Sequence, residues 1–522
     1  MSSAHDDDGL DAFLEFVEWQ LVREQVAART ASSPGSFRAR ELRPVFDAGQ
    51  VDALQARTAE ALALVRADRT PDLEDAIDVD DLYRRLERAE RGPGARELRW
   101  LAQTLQAGAA ARAAVAGSPA LAALVTDPDD ERDGPALDEA LARDVLAAIG
   151  PYGVVRSEAS EALGGVRAEL QGAREQLRSR LTSLATRGRL VVALAEPPLG
   201  EHEGVPCLRV RPDHVRSVPG VVRGSARDGA HLVEPEDAQD DYSRVRQLEA
   251  EELAEARKVV IALVARAVPR RAAHTRLAAG VIQLDLHLAL ARHARDLGLS
   301  PPRLSDELEA ALGGARHPLL PRDVCVEIDL GISRARRLLV ISGPNGGGKT
   351  AAMKTLGLAT ALAHCGGHVP AREALVPRVS RLIAVAAPRS SVTAGVSQFQ
   401  AHARDIVQAL AAVRPGALVL LDEIGQGTDP VEAAALAQAV LEHLLREDVL
   451  VLATTHLAPL KAFAARCPGA ANAAVDLDGQ GRPTFVLTVG RAGRSFALEV
   501  ARAAGMPAAL CDRAEALHGG AE

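Results

Sequence analysis

The feature that most constrains the fold lies between residues 338 and 356, where an aliphatic run, a glycine-rich turn and a helix-forming stretch follow one another. Residues 338–341 are all aliphatic, which predicts a strand buried on both faces of a parallel sheet. Residues 351–356 favour a helix and contain no breaker. The turn between them matches the phosphate-loop pattern G-x-x-x-x-G-K-[ST]. This order predicts an α/β sheet with a phosphate-binding site at one edge.

The turn carries the groups that bind the phosphates of a nucleotide. Glycines let consecutive backbone N–H groups point at phosphate oxygens, and the helix N-terminus adds partial positive charge. Lys349 is expected to reach the β and γ phosphates of ATP, and the Thr350 hydroxyl to bind Mg²⁺. Only four of the 61 lysines and arginines are lysine, so a lysine at position 349 fits a site that needs a compact ammonium. The predicted ATP-binding residues are Gly343, Pro344, Asn345, Gly346, Gly347, Gly348, Lys349 and Thr350.

Composition limits the classes of function. The net charge of −9 argues against a broadly basic nucleic-acid coat, so any polyanion contact is expected to be local. The five cysteines are scattered and form no C-x-x-C pair, which predicts neither a disulfide framework nor a zinc site. We expect a cytoplasmic protein, with nucleoid association left open, because no secretory signal or membrane-spanning stretch is recognisable.

Three regions of different texture follow one another along the chain. Residues 1–155 are predicted to form an N-terminal helical core, residues 156–303 a pair of long helical arms, and residues 304–522 a phosphate-loop ATPase domain in which strands and helices alternate. The arms carry a small β-rich tip at about 190–235. Its predicted strands contain the runs Leu190-Val191-Val192, Leu208-Arg209-Val210, Gly220-Val221-Val222 and Ala230-His231-Leu232-Val233.

Charge is divided unevenly between the two arms. Six arginines and two acids lie between residues 167 and 189, whereas nine acids and four basic residues lie between 234 and 258. One interpretation is a basic arm that binds a polynucleotide backbone. The other is that the basic helix pairs with the acidic helix across their interface. The arginines that could contact a polynucleotide are Arg178, Arg180, Arg187 and Arg189.

Two further aliphatic runs are expected to bring reactive side chains to the phosphate loop. Residues 418–421 lead into Asp422 and Glu423, and the carboxyl ends of parallel strands share one edge of a sheet. Asp422 is expected to hold Mg²⁺, together with Thr350, and Glu423 to orient or deprotonate the attacking water. Residues 450–455 lead into His456, which would sense the γ-phosphate. The candidate catalytic residues are Glu423 and His456.

The order of these motifs resembles that of the MutS ATPases, most closely their type 2 or recombination-suppressing branch. The shared stretches are Gly-Pro-Asn-x-Gly-Gly-Lys, Ser397-Gln398-Phe399, Leu-Leu-Asp-Glu-x-Gly-x-Gly-Thr-Asp-Pro at 420–430 and Thr-Thr-His at 454–456. The resemblance implies a multidomain fold with a helical core, lever or clamp arms with a small β element, and a MutS/ABC-like α/β ATPase domain. It also implies a homodimer with nucleotide sandwiched between subunits. Ser397 would reach the γ-phosphate bound by the other subunit, and Asp429 would lie near the interface.

The sequence also departs from this family in two places. Type 2 proteins usually continue into a C-terminal Smr nuclease domain, whereas this sequence ends at Glu522, so endonuclease activity is not expected. Residues 385–389 stand where the family usually has an acidic segment, and Gln398 replaces the usual threonine.

Two functional hypotheses remain. The first is a homodimeric, ATP-dependent clamp that binds branched, recombining or damaged DNA, in a mismatch-repair-like suppression of recombination. The alternative is an ATPase that associates with ribosomes or rRNA and splits or senses stalled ribosomes. An ABC transporter-type ATPase is disfavoured because no Leu-Ser-Gly-Gly-Gln signature precedes Asp422. A scaffold with vestigial ATPase activity is disfavoured by the complete set of Lys349, Thr350, Asp422 and Glu423. The expected cofactors are ATP and Mg²⁺, and no membrane partner is expected.

Overall fold

A computed structural model of the chain describes residues 3–87, 94–127, 133–188, 190–344, 346–387, 398–426, 429–478, 483–491, 493, 501–502 and 505–519. The chain divides into two compact units. The first unit consists of Met1–Glu74, Ala110–Thr126 and Gly280–Glu522, and the second of Asp75–Ala109 and Asp127–Ala279. Within the described ranges, every helix is too short or too polar to cross a bilayer.

Helices and strands both contribute to the fold, as the sequence predicts. The helices are α1 (Ser3–Phe16), α2 (Trp19–Ala27), α3 (Ser33–Arg40), α4 (Ala48–Arg66), α5 (Asp80–Glu87), α6 (Ala95–Val115), α7 (Pro119–Val125), α8 (Gly134–Ala148), α9 (Glu161–Ala185), α10 (Leu190–Ala193), α11 (Gln239–Ala267), α12 (Arg271–Leu297), α13 (Lys349–His364), α14 (Gln398–Ala412), α15 (Pro430–Arg446), α16 (Ala458–Arg466) and α17 (Ala508–Gly519). The strands are β1 (Leu194–His202), β2 (Val205–Val210), β3 (Gly220–Ser225), β4 (His231–Pro235), β5 (Arg303–Ser305), β6 (Ala310–Ala315), β7 (Ile328–Ile332), β8 (Leu338–Ser342), β9 (Glu373–Pro377), β10 (Arg381–Val385), β11 (Ala417–Leu421), β12 (Leu450–Thr454), β13 (Ala470–Leu477) and β14 (Pro483–Val489).

The larger sheet of the first unit has the strand order β10-β11-β12-β8-β13-β14. Its strands are parallel from β10 to β13, and β14 pairs antiparallel at one edge. Every residue of β8, β11 and β12 is buried, which explains why these strands are aliphatic except at the last residues of β8 and β12, Ser342 and Thr454. Leu421 pairs with Ala453, and Thr454 pairs with Ile341, so the three strands end at the same edge of the sheet.

The N-terminal helices share a hydrophobic core with this sheet. Phe13 of α1 and Val17, which follows this helix, are fully buried in the same cluster as Leu356 of α13 and Leu420 of β11. A second sheet of the first unit, in the order β5-β9-β6-β7, contributes Leu312 and other side chains to that cluster. The division of the chain into domains at residues 155 and 303 stays a prediction.

The second unit contains an antiparallel sheet in the order β1-β2-β4-β3. Leu177 and Leu181 of α9 pack with Tyr242 and Leu248 of α11 and with side chains of this sheet. The prediction of a strand at residues 190–192 is wrong. These residues lie in the single helical turn α10, which follows a hydrogen bond from the backbone N–H of Leu190 to the carbonyl of Arg187, and β1 begins only at Leu194.

A buried polar cluster lies elsewhere in the second unit. The Asp138 carboxylate accepts hydrogen bonds from Arg270, at 2.6 and 3.0 Å, and lies 2.8 Å from Nε2 of His274. Nδ1 of His274 is hydrogen-bonded in turn to the hydroxyl of Tyr83. Burial by itself would raise the pKa of Asp138, but the hydrogen bonds from His274 and Arg270 outweigh it and lower that pKa.

Candidate nucleotide-binding site

The glycine turn predicted from the sequence connects β8 directly to α13. Gly348, the residue before α13, has a φ of +88°, which a residue with a side chain rarely adopts. A Cβ atom at this position would lie 3.2 Å from the ring of Phe485 on β14. Glycine is therefore needed here both for its backbone conformation and for the close approach of the aromatic ring.

The side chain of Lys349 turns back onto the phosphate loop, near whose end this residue lies. Its side chain is almost completely buried, and its ammonium group donates hydrogen bonds to the carbonyls of Gly343, at 3.0 Å, and Pro344, at 2.8 Å. Burial lowers the pKa of Lys349, while the negative charges of Glu423 and Asp422 oppose this effect. The loop therefore holds a desolvated positive charge, the arrangement that favours binding of a phosphate group.

Asp422 lies beside Thr350, although 72 residues separate them. The Thr350 hydroxyl is 3.0 and 3.1 Å from the two carboxylate oxygens of Asp422, which is itself buried. Hydroxyl and carboxylate oxygens are ligands that Mg²⁺ prefers, and this ion usually takes its remaining ligands from phosphates and water. The two predicted metal ligands therefore fit one Mg²⁺ site next to the phosphate loop. Within the described ranges, no cluster of three or more His, Cys, Asp and Glu side chains offers another metal site.

Thr454 connects the two acidic residues, and sequence reasoning did not identify it. Its hydroxyl donates a hydrogen bond of 2.6 Å to Asp422 and accepts one of 2.7 Å from the backbone N–H of Glu423. The side chain is fully buried at the end of β12. A signal was present in the sequence, because Thr454 follows the third aliphatic run just as Asp422 follows the second.

Glu423 and His456 lie at the same edge of the sheet. Glu423 follows β11 and has a φ of +51°, an uncommon conformation for a residue with a side chain. Such backbone outliers concentrate at functional sites because the surrounding structure must hold them in place. His456 is exposed just beyond β12, and the preceding Thr455 donates its backbone N–H to Ile341 of β8. Both predicted catalytic residues are therefore positioned by strands adjacent to the loop.

The remaining predicted site residues are less informative. Asn345, Ser397 and Arg189 lie outside the described residues. Asp429 caps α15, where its carboxylate accepts hydrogen bonds from two backbone N–H groups at 3.0 and 3.2 Å. This cap gives Asp429 a local structural role, and its location at a dimer interface stays a prediction.

Charged residues of α9 are largely paired in the second unit. Arg167 and Arg174 form ion pairs with acids of α11 at 2.8 and 2.7 Å. Arg178 pairs with an acid of β1, and Arg180 donates to a backbone carbonyl at 3.2 Å. Arg187 is exposed and makes no ion pair with any described residue. The ion pairs of Arg167 and Arg174 agree with the interpretation in which the two arms pair. The contact of Arg178, Arg180 and Arg187 with a polynucleotide stays a prediction.

Comparison with known proteins agrees with this geometry. A family model described as MutS domain V matches residues 339–520. The chain is 36% identical over 529 residues to a protein of Thermomicrobium roseum named Endonuclease MutS2, covering 97% of this chain and 65% of that protein. Proteins of the same name from Thermus thermophilus and Pelotomaculum thermopropionicum are 38% and 33% identical over 72% and 96% of this chain. The chain covers 50% and 64% of these two relatives, so it spans between half and two thirds of the proteins that it matches.

Proposed function

Because the chain belongs to the MutS family and resembles the type 2 branch over nearly the whole length of the chain, we propose that it is a Mg²⁺-dependent ATPase that binds DNA. The observation that supports this most directly is the set of contacts joining Thr350, Asp422, Thr454 and Glu423 at the end of the phosphate loop. Hydrolysis of a phosphoanhydride depends mainly on positioning and charge stabilisation, and these contacts fix the groups that would supply both.

Each residue of the site has a proposed role in hydrolysis. The backbone N–H groups of the loop and the Lys349 ammonium would bind the β and γ phosphates of ATP. Thr350 and Asp422 would hold Mg²⁺, which neutralises phosphate charge. Glu423 would accept a proton from the water that attacks the γ-phosphorus, while the bridging oxygen leaves with ADP. His456 would contact the γ-phosphate from the end of β12.

We further propose that two copies of the chain form an ATP-gated clamp on branched, recombining or damaged DNA. In this proposal residues 1–155 are the helical core, 156–303 the arms and 304–522 the ATPase domain. Support comes from the similarity to MutS2 proteins along the whole chain. Exposed Arg187 near the end of α9 offers an unpaired positive charge for a DNA phosphate. No finding favours a ribosomal partner.

A Glu423→Gln variant tests the enzymatic part of the proposal. Loss of a general base typically slows a reaction by about 100- to 10,000-fold, so steady-state ATP turnover should fall by at least about 100-fold while ATP binding persists. Glu447→Gln is the matched control, because Glu447 follows α15, before β12 begins, and its side chain contacts none of the site residues that the structure describes. Turnover in Glu423→Gln equal to that of the control would refute the proposed role.

The same protein preparations test whether DNA is the partner. We expect a four-way DNA junction to raise wild-type turnover more than a linear duplex of equal length, and light scattering to show a dimer with ATP. Failure to bind any DNA at low salt would contradict the clamp. Cosedimentation with ribosomes would instead favour the alternative hypothesis.

A further inference from the structure

Lys461 is connected to the base of the phosphate loop by two hydrogen bonds. It lies on α16, and its ammonium group donates a hydrogen bond of 3.0 Å to the carbonyl of Gly493. The backbone N–H of Gly493 donates one of 2.8 Å to the hydroxyl of Ser342. Ser342 is the fully buried last residue of β8 and immediately precedes Gly343, the first residue of the phosphate loop. A side chain from α16 thus supports the start of the loop through a single intervening residue.

The intervening position has no space for a side chain. A Cβ atom on Gly493 would lie 2.9 Å from the Ser342 hydroxyl oxygen and 3.0 Å from its carbonyl carbon and oxygen. The other end of the connection is also fixed, because the side-chain amide of Asn472 donates a hydrogen bond of 2.8 Å to the carbonyl of Lys461. Both ends are therefore held by neighbouring elements, and a shift of Gly493 would be transmitted to Ser342.

The charge of Lys461 is unusual for its location. Burial lowers the pKa of Lys461, and no carboxylate among the described residues pairs with it. Its positive charge also reaches Lys349, whose pKa is lowered chiefly by burial and further by repulsion from Lys461. Two of the four lysines in the chain, Lys349 and Lys461, are therefore close enough for their charges to repel each other. A partly buried cation without a carboxylate partner is costly unless an anion lies nearby, and the phosphates of ATP are such anions.

We infer that Lys461 is a positioning residue of the nucleotide site, which holds the start of the phosphate loop in its binding geometry through Gly493 and Ser342. This inference rests on the proposed ATPase function. It assigns to Lys461 an effect on nucleotide affinity and not on the chemical step, because its ammonium group contacts a backbone carbonyl and none of Thr350, Asp422 or Glu423.

The test compares the affinity of full-length variants for a fluorescent ATP analogue, measured by anisotropy, with their turnover at saturating ATP. Lys461→Met removes a charged hydrogen-bond donor, and we expect the dissociation constant to rise about tenfold while turnover changes less than about twofold. Lys461→Arg keeps a donor and a charge, and should recover part of the lost affinity. Lys354→Met is the matched control, because Lys354 lies on α13, the helix that follows the loop, and pairs with Glu18. It should bind the analogue like the wild type.

Gly493→Ala provides a second route to the same connection without changing a charge. It should also weaken nucleotide binding, and combining it with Lys461→Met should cost less than the sum of the two single effects, because both act through one connection. The inference is overturned if Lys461→Met binds the analogue as tightly as the wild type, or if its melting temperature without nucleotide falls while affinity is unchanged. Absence of binding by the wild type itself would instead overturn the proposed ATPase function.

Discussion

Replacement of Thr454 by valine removes one hydroxyl from the centre of the candidate site and almost nothing else. Valine has nearly the shape of threonine, and position 454 is fully buried at the end of β12. The substitution deletes the donor of the 2.6 Å hydrogen bond to Asp422 and the acceptor of the 2.7 Å hydrogen bond from the Glu423 backbone. Because the contacts of Lys349 with the loop do not involve Thr454, ATP binding and hydrolysis should respond differently.

The size of the effect follows from the charge of Asp422. A hydrogen bond to a charged group contributes about 1.5–3 kcal/mol, and each 1.4 kcal/mol is a factor of about ten, so turnover should fall about 10- to 100-fold. The Glu423 N–H also loses its partner, which frees a residue whose backbone is held at a φ of +51°. The Mg²⁺ concentration for half-maximal turnover should rise, whereas the affinity for ATP measured without Mg²⁺ should change less than about threefold.

The assay is a Mg²⁺ titration of steady-state turnover at saturating ATP. Thr454→Ser keeps the hydroxyl and should retain most of the wild-type activity. Thr360→Val removes an equally buried hydroxyl, which donates only to the carbonyl of Leu356 in α13, and it should leave the Mg²⁺ dependence unchanged. Wild-type turnover and Mg²⁺ dependence in Thr454→Val would refute the reasoning, because Asp422 and Glu423 would then be positioned without this hydroxyl.

Two further predictions concern positions where the structure leaves little freedom. Gly348→Ala should weaken binding of the fluorescent ATP analogue by at least about tenfold, because alanine disfavours a φ of +88° and its Cβ would press on Phe485. Asp138→Ala should lower the free energy of unfolding, measured with urea, by about 3–5 kcal/mol, because Arg270 and His274 lose their buried carboxylate. Since the pKa of Asp138 is below its usual value in the folded protein, its ionic contribution should be complete above about pH 4 and disappear as the pH falls through the lowered pKa.

The sequence predicted the central strands and their motifs almost to the residue. The predicted strands at 338–341, 418–421 and 450–455 correspond to β8, β11 and β12, because strands covered on both faces are apolar at nearly every position. The run Leu190-Val191-Val192 has the same composition but forms a helical turn in which Val191 and Val192 are exposed. Short aliphatic runs therefore predict strands reliably only where other elements cover both faces.

Contacts that depend on long-range packing were beyond the sequence. The hydrogen bond between Gly493 and Ser342 spans 151 residues, and Phe13 of α1 is buried in the core of the large sheet with residues still farther away along the chain, such as Leu356 and Leu420. Neither contact involves a local motif, since serine, glycine and phenylalanine occur in many environments. Such contacts are set by which surfaces pack together, and periodicity within one segment carries no information about its neighbour.

The strand order decides which residue links Asp422 to Glu423 beside the phosphate loop. The aliphatic runs of β8, β11 and β12 are equivalent by pattern, so any of three orders would satisfy the sequence. The observed order places β12 between β11 and β8, with Leu421 opposite Ala453 and Thr454 opposite Ile341. β11, which leads into Asp422, and β8, which leads into the loop, therefore flank β12, and Thr454 at the end of β12 lies within hydrogen-bond distance of Asp422. A threonine suits position 454, because its hydroxyl can donate to the Asp422 carboxylate and accept from the backbone N–H of Glu423 at once.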